Sequence, residues 1–357
     1  MIRKIIYLVR KDFYTQFGGD TTQVLKTKQF IEKNNDISID VINEAETLLK
    51  INDYDILHIW GINASPLLNE IIENAKQNNK IVIISSIYWN VTDSLFIKYF
   101  IIPILQFKIF AFLEFFATFF IKYVQYFIAS LFFKDKLCYI PHCKEFNNYR
   151  IFSIKNANII IPNSDEEGKL LCENIDLNYE NFKYKFKTVP NAVDIEKLNK
   201  KSLSKDKHIP IVFAGAIRNE KYFNALKKLA QKRGNVYFTG KIEEEQLYDL
   251  FKRAKVHILP SFRESPGLAT LEALMCGCQI VVSNEKYCPI KYYQFDKYGF
   301  VCNPYDINSI KNAILEAYNN PKDIKLPEEY FDFYSYENAA EMTYNVYREV
   351  LNNENPI

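Results

Sequence analysis

Glu264 and Glu272 stand eight residues apart around a stretch built to meet an anion. Between them lie Ser265, Pro266, Gly267, Leu268 and Ala269. Val256 to Leu259 reads as a buried strand running into a polar loop at Pro260. Ser265 is a plausible N-cap, and Pro266 suits the first helical position, where its missing N–H costs nothing. The helix is expected to run to about Cys276, with Gly277 closing it and Gln279 to Ser283 forming the next strand. The amides of Gly267, Leu268 and Ala269 would then face out of the positive end of a helix dipole, as a pyrophosphate requires. Gly267 has no side chain to hold a ligand off. One acid could sit beside the group attached to the phosphate while the other reaches a diol such as ribose. The alternative on these residues alone is an ordinary strand–loop–helix–strand unit with two solvated carboxylates.

The elements that must position this stretch follow from hydrophobic patterning. The chain has 357 residues, of which 48% are hydrophobic, enough for two domains with sizeable cores. Lys plus Arg number 45 and Asp plus Glu 43, so no basic stripe marks a nucleic-acid partner. Seven cysteines in no framework spacing, with Cys276 and Cys278 separated by one residue, argue for reduced thiols rather than a zinc set. Strands are expected at Ile2–Val9, Ser38–Ile42, Tyr54–Trp60 and Lys80–Ser86, with helices up to Asn34 and from Ala64 to Asn78. That alternation implies a parallel, doubly wound sheet. Gly18 and Gly19 follow the first strand, where glycines permit close backbone approach to a ligand. Ser164 is a good N-cap for a helix from Asp165. Strands at Ile211–Ala214 and Asn235–Thr239 end at Gly215 and Gly240, and Lys221 lies six residues past Gly215, a spacing that fits a phosphate-contacting loop. An amphipathic helix covers Glu243–Ala254, and the last helix begins at Tyr336.

The run Pro-Ser-x-x-Glu-x-x-Gly-Leu-x-x-x-Glu-Ala-x-x-x-Gly, from Pro260 to Gly277, resembles the donor-site signature of the GT4-like (group 1) glycosyltransferases. Lys187 to Asp194 resembles the Pro-Asn-Gly-Val-Asp that marks the passage between their domains, with Ala192 in place of Gly. The resemblance implies the GT-B fold: two Rossmann-like, doubly wound domains facing a cleft. It implies an N-terminal acceptor-side domain over residues 1–189, a C-terminal donor domain over 190–335, and a final helix within 336–357 crossing back. It implies a retaining transfer from a nucleotide-sugar to a glycan or lipid-linked acceptor, as in bacterial surface polysaccharide or glycolipid synthesis, with no metal and no cofactor. Glu264 would lie at the donor sugar and support catalysis, and Glu272 would bind ribose. Gly267 and Leu268 would hold the diphosphate together with Lys221. Gly18 and Gly19 would face the cleft, and Lys241 and Ile242 after Gly240 would meet the base. Two departures stand out. Ser265-Pro266 replaces the usual Gly and aromatic, and Ala216 occupies the place of an Arg that Arg218 would have to supply. Asp53-Tyr-Asp55 spells the metal motif of the other large glycosyltransferase fold, but it runs directly into a strand and is set aside.

On the acceptor side the family often places a His after the strand that here ends at Ser85-Ser86. This chain continues with Tyr88, Trp89 and Asn90, whose aromatics either stack on a sugar or pack. His142 and Ser164 are the other acceptor-side candidates. Residues 95–133 are crowded with Phe, Ile, Leu and Tyr but contain no uncharged run long enough to span a bilayer. They read either as amphipathic helices lying in a membrane interface or as helices packed on the domain's own sheet. The expected location is the cytoplasm, with peripheral contact to the inner face of the plasma membrane. Two rival functions remain: a GT-B epimerase or phosphorylase, and a non-catalytic nucleotide-sugar-binding protein.

Overall fold

The computed structural model describes residues 3–15, 18–62, 65–88, 144–195, 210–217, 219–265 and 267–353. The expectations at Trp89, Asn90, His142, Arg218, Pro266 and residues 95–133 lie outside these. Among the described residues no helix is long and apolar enough to cross a membrane.

The N-terminal half is built on strands β1 (Arg3–Leu8), β2 (Ile37–Ile42), β3 (Ile56–Trp60), β4 (Ile81–Ser85) and β5 (Ile159–Ile161). All pair in parallel, in the order β2-β1-β3-β4-β5. Their near-continuous runs of Ile, Val and Leu suit a sheet covered on both faces. Successive side chains alternate between two cores. Ile5, Tyr7, Ile81 and Ile83 face one. Ile6, Leu8, Val82 and Ile84 face the other. Helices α1 (Gly19–Asn34), α2 (Glu44–Lys50), α3 (Pro66–Gln77) and α4 (Lys144–Asn156) lie on the crossovers, and α5 (Asp165–Asn174) follows the last strand. The order reverses between β1 and β3, so the crevice at the carboxyl ends of those strands is where such sheets bind ligands. Helix α2 was not anticipated; its seven residues carry too short a pattern to stand out from loop.

In the C-terminal half, β8 (Val256–Leu259), β9 (Gln279–Ser283) and β10 (Phe300–Cys302) form a parallel ladder in the order β10-β9-β8. Strands β6 (Ile211–Ala214) and β7 (Val236–Gly240), joined through helix α6 (Glu220–Arg233), form a separate parallel pair. The pair is held by its own aromatic stack of Phe213 on Phe238, at 5.1 Å between centroids. α6 buries no residue, and Val212, Tyr237 and Leu229 stay exposed. Helices α7 (Glu244–Arg253), α8 (Leu268–Met275), α9 (Phe295–Tyr298), α10 (Ile307–Asn319) and α11 (Glu328–Phe333) complete this half, and α12 (Tyr336–Asn353) ends it. Leu271, Leu274, Ile280, Val282, Tyr293 and Phe295 are fully or almost fully buried among them.

Helix α12 returns to the N-terminal sheet, burying Ala339, Ala340, Val346 and Tyr347 in the core that α1 also covers. A chain of buried polar groups fixes it there. The Tyr347 hydroxyl donates to the Tyr7 hydroxyl at 3.0 Å. His58 Nδ1 lies 2.6 Å from the Tyr347 oxygen and Nε2 lies 2.9 Å from Ser85 Oγ. The hydrogen-bond pattern assigns the proton to Nδ1, with Nε2 accepting from Ser85. Burial lowers the His58 pKa to about 3, so the ring is neutral and this arrangement is complete.

Asp55 and Tyr54 of the Asp-x-Asp stretch make contacts within the N-terminal sheet. Asp55 Oδ2 accepts from the Lys4 amide at 2.9 Å, and the Tyr54 hydroxyl donates to Asp40. Between the halves, Asp194 pairs with Lys26 of α1 at 3.1 Å, and the Ala192 amide donates to Gln23 at 3.1 Å.

Tyr347→Phe strands the His58 N–H in the core, and an unmet buried donor costs about 1–3 kcal/mol. Urea denaturation of the purified variant should show that loss; a change under about 0.5 kcal/mol would refute the role given to this chain.

Candidate active site at the cleft between the two halves

The signature stretch folds as a strand, a loop and a short helix, with the helix starting two residues later than expected. Its N-cap is Gly267, at φ +81°, and not Ser265. Only glycine takes that left-handed conformation at little cost, and a Cβ there would lie 3.3 Å from Glu264 Oε2. The Thr270 and Leu271 amides close back onto the Gly267 carbonyl at 2.9 and 3.2 Å. Among the described residues the amides of Gly267, Leu268 and Ala269 donate to no protein acceptor. Three convergent N–H groups at a helix start suit an anion. Gly277, at φ +80°, closes the far end as expected.

Each glutamate occupies a different environment. Glu264 is half-buried beside the helix start, and its amide donates to the Tyr287 carbonyl at 2.8 Å. Burial raises its pKa, against the Ser261 hydrogen bond and the charge of Arg263. Glu272 is pushed up to about 8, by burial first and by nearby Glu244 second, with a hydrogen bond from Tyr248 opposing. The Tyr248 hydroxyl lies 2.9 Å from Glu244 and 3.5 Å from Glu272. The closer contact is to Glu244, so the bond to Glu272 is the weaker one and leaves that carboxyl capacity to meet an incoming hydroxyl.

The N-terminal sheet comes up to this stretch from the other side. A Cβ on Gly19 would lie 3.0 Å from Leu268 Cδ1, so the glycine lets α1 and α8 touch. Of the two glycines, Gly19 is the one set against α8, whereas a Cβ on Gly18 would meet Asp20. Ser265, displaced from capping, donates its hydroxyl to Glu167 of α5 at 2.5 Å. Glu167 also accepts from Ser86, from the Tyr88 amide at 2.9 Å and from Asn163 at 3.2 Å. Burial raises its pKa, and the hydrogen bonds from Ser265 and Ser86 counter that. The Tyr293 hydroxyl adds a second tie, donating to the Asn163 carbonyl at 3.0 Å.

Two acceptor-side candidates take structural positions instead. Ser164 is fully buried and caps α5 by accepting from the Glu167 amide at 3.1 Å. The Tyr88 ring packs against the N-terminal core, with the Arg150 guanidinium 5.6 Å over it, which favours packing over sugar stacking.

Gly215 and Gly240 do come together: both have positive φ, and the Gly215 amide donates to the Gly240 carbonyl at 3.0 Å. Lys221 sits exposed in the first turn of α6, and Lys241 and Ile242 follow Gly240. Among the described residues, no hydrogen bond or ion pair joins these loops to the Glu264–Glu272 segment. Glu167 was the residue that sequence reasoning missed. Its only local signal is its position three residues after an N-cap serine, which on its own reads as an ordinary first-turn acid.

Residues 170–332 match the family described as glycosyl transferases group 1. That span includes Glu264 and Glu272 and excludes Gly18, Gly19, Ser86 and Glu167. The O-antigen chain mannosyltransferase B of Escherichia coli is 33% identical over 86 residues, which are 24% of this chain and 22% of that protein. The chain therefore spans only about a fifth of the length of that curated relative. Among solved structures, sucrose-phosphate synthase from Thermosynechococcus elongatus superposes with TM-score 0.66 at 15% identity, covering 98% of this chain and 99% of that one. Anabaena HepE in complex with UDP and glucose gives TM-score 0.61 at 11% identity, covering 98% and 100%. These likenesses cover nearly the whole chain and show the fold to be GT-B.

Glu272 gives this site a pH signature. The unfolded chain releases that proton near the ordinary glutamate value of 4.5, whereas the folded protein keeps it to about 8. The folded state binds more protons across that window, so this group makes stability fall as pH rises from 4.5 to 8. Denaturation midpoints measured across the window should show Glu272→Gln gaining on wild type as pH rises. Parallel curves would contradict the raised pKa.

Proposed function

We propose that this chain, which carries a group 1 glycosyltransferase domain within a GT-B fold, transfers a sugar from a nucleotide-sugar donor to a glycan or lipid-linked acceptor with retention of anomeric configuration. The observation that carries this reading is the α8 start. Its three free amides meet at a left-handed glycine, flanked by Glu264 and Glu272 and faced by Gly19. The diphosphate lies on these amides. Glu272 accepts from the ribose diol, and its raised pKa lets the pocket stay neutral until the diol arrives. Glu264 lies beside the sugar, where a carboxylate offsets charge as the glycosidic bond to phosphate breaks. Lys221 and the helix dipole neutralise the departing nucleoside diphosphate. The leaving phosphate assists deprotonation of the acceptor hydroxyl, so the chemistry needs no protein nucleophile.

The halves divide the labour, with the donor on residues 190–335 and the acceptor on the carboxyl ends of the N-terminal strands. A mannosyl donor is the first candidate, because the curated relative is an O-antigen chain mannosyltransferase. UDP-sugars follow, because HepE binds UDP and glucose. Surface polysaccharide assembly is the corresponding biological setting.

Thermal denaturation with UDP-, GDP-, CMP- and dTDP-sugars tests the donor site. A ligand binding only the folded protein adds about 2.7 kcal/mol of stability at a hundredfold excess over Kd. The expected result is a shift with one nucleotide class that Glu272→Ala loses. No shift with any class would defeat the reading. Glu264→Gln should keep that shift but abolish sugar transfer from the same donor, and near-full activity would remove Glu264 from the chemistry.

A further inference from the structure

Glu167 lies on α5, outside the span that matches the family, and is completely buried. An ionised carboxylate offers about four acceptor sites. Here Oε1 takes Ser86 Oγ and the Tyr88 amide, and Oε2 takes Asn163 Nδ2 and Ser265 Oγ. Three of these donors stand at the carboxyl ends of β4 and β5. The fourth stands on the loop that carries Glu264 and Gly267. Asn163 Nδ2 also lies 3.4 Å from Ser265 Oγ, so the serine is held from two sides.

Holding α5 in place does not require a buried charge. Leu171 and Cys172 of the same helix are fully buried and already anchor it. Burying a carboxylate costs several kcal/mol unless its partners are well placed. What the carboxylate adds is direction: it fixes one serine hydroxyl of the C-terminal half against two strand ends of the N-terminal half.

We infer that Glu167 is a positioning residue for sugar transfer, holding Ser265, and through it Glu264 and the Gly267 helix start, in register with the acceptor-side strand ends. This rests on the reading of the Glu264–Glu272 segment as the donor site. The link acts on the alignment of the two halves, whereas the nucleotide lies on one half only. Its loss therefore falls on kcat and spares nucleotide affinity.

The test compares wild type with Ser265→Ala, Ser265→Thr, Glu167→Gln and the Ser265→Ala/Glu167→Gln double variant. The probes are the nucleoside diphosphate chosen by the thermal panel, titrated by calorimetry, and its sugar donor, whose slow hydrolysis releases that diphosphate. Ser265→Ala and Glu167→Gln should each lower kcat roughly tenfold or more, the scale expected when reacting groups are misplaced by a fraction of an ångström. Nucleotide Kd should stay within about threefold of wild type. The double variant should be no worse than the poorer single, because both remove one link. Ser265→Thr, which keeps the hydroxyl, should recover most of the rate. Additive losses, an unchanged kcat in Ser265→Ala, or losses confined to Kd would each overturn the proposal. If Glu167→Gln fails to fold, the Ala and Thr variants at Ser265 decide it alone. Wild type binding no nucleotide would instead bring down the donor reading and this inference with it. Wild-type binding and turnover beside an unaffected Ser265→Ala would bring down the link only.

Discussion

Parallel strands cannot be joined by a tight turn, so each must be followed by a crossover, and every strand of the sheet ends at the same edge. The rest of this molecule depends on that constraint. It brings Gly18 and Gly19 after β1, Ser86 after β4 and Asn163 after β5 to one rim of the N-terminal sheet. The same rule sends the loop after β8 out to the rim of the C-terminal ladder, carrying Glu264 and Gly267. Once the rims face each other, residues remote in the chain become neighbours without any local device.

What holds the rims together is polar and directional. Apolar packing fills each half separately, with the N-terminal sheet sandwiched between two cores and the C-terminal ladder packed on its own. Across the cleft, among the described residues, the ties include the Ser265–Glu167 bond, the Tyr293–Asn163 bond, the Ala192–Gln23 bond and the Lys26–Asp194 pair. Polar ties of this kind contribute modestly to stability but fix geometry, since each is lost over a small displacement.

Much of this was legible in the sequence because local physics and tertiary outcome agree there. The Ile- and Val-rich runs read as buried strands, Ser164 has the type and place of a cap for α5, and Gly267 takes a left-handed conformation that suits glycine. Ser265 was misread as a cap because its type and position satisfy the capping pattern. A buried acid nearly a hundred residues upstream claims its hydroxyl instead. Glu167 itself was invisible, because three of its four partners lie far off at residues 86, 88 and 265, and the fourth, Asn163, precedes the helix. The separation of β6 and β7 from β8 was equally unreadable, since pairing partners of parallel strands leave no mark in the strands themselves.

Helix α12 carries a consequence for how the molecule comes into being. Tyr347 meets Tyr7 across 340 residues of chain, and it fills the same face of the sheet that α1 covers. During synthesis the first five strands emerge long before that helix does. Until it arrives, one face of the N-terminal sheet lacks part of its cover, and His58 lacks its Tyr347 partner. The first half of the protein to be made is thus the last to be finished. A nascent chain must keep that apolar face from other partners while the entire C-terminal half folds between its two ends.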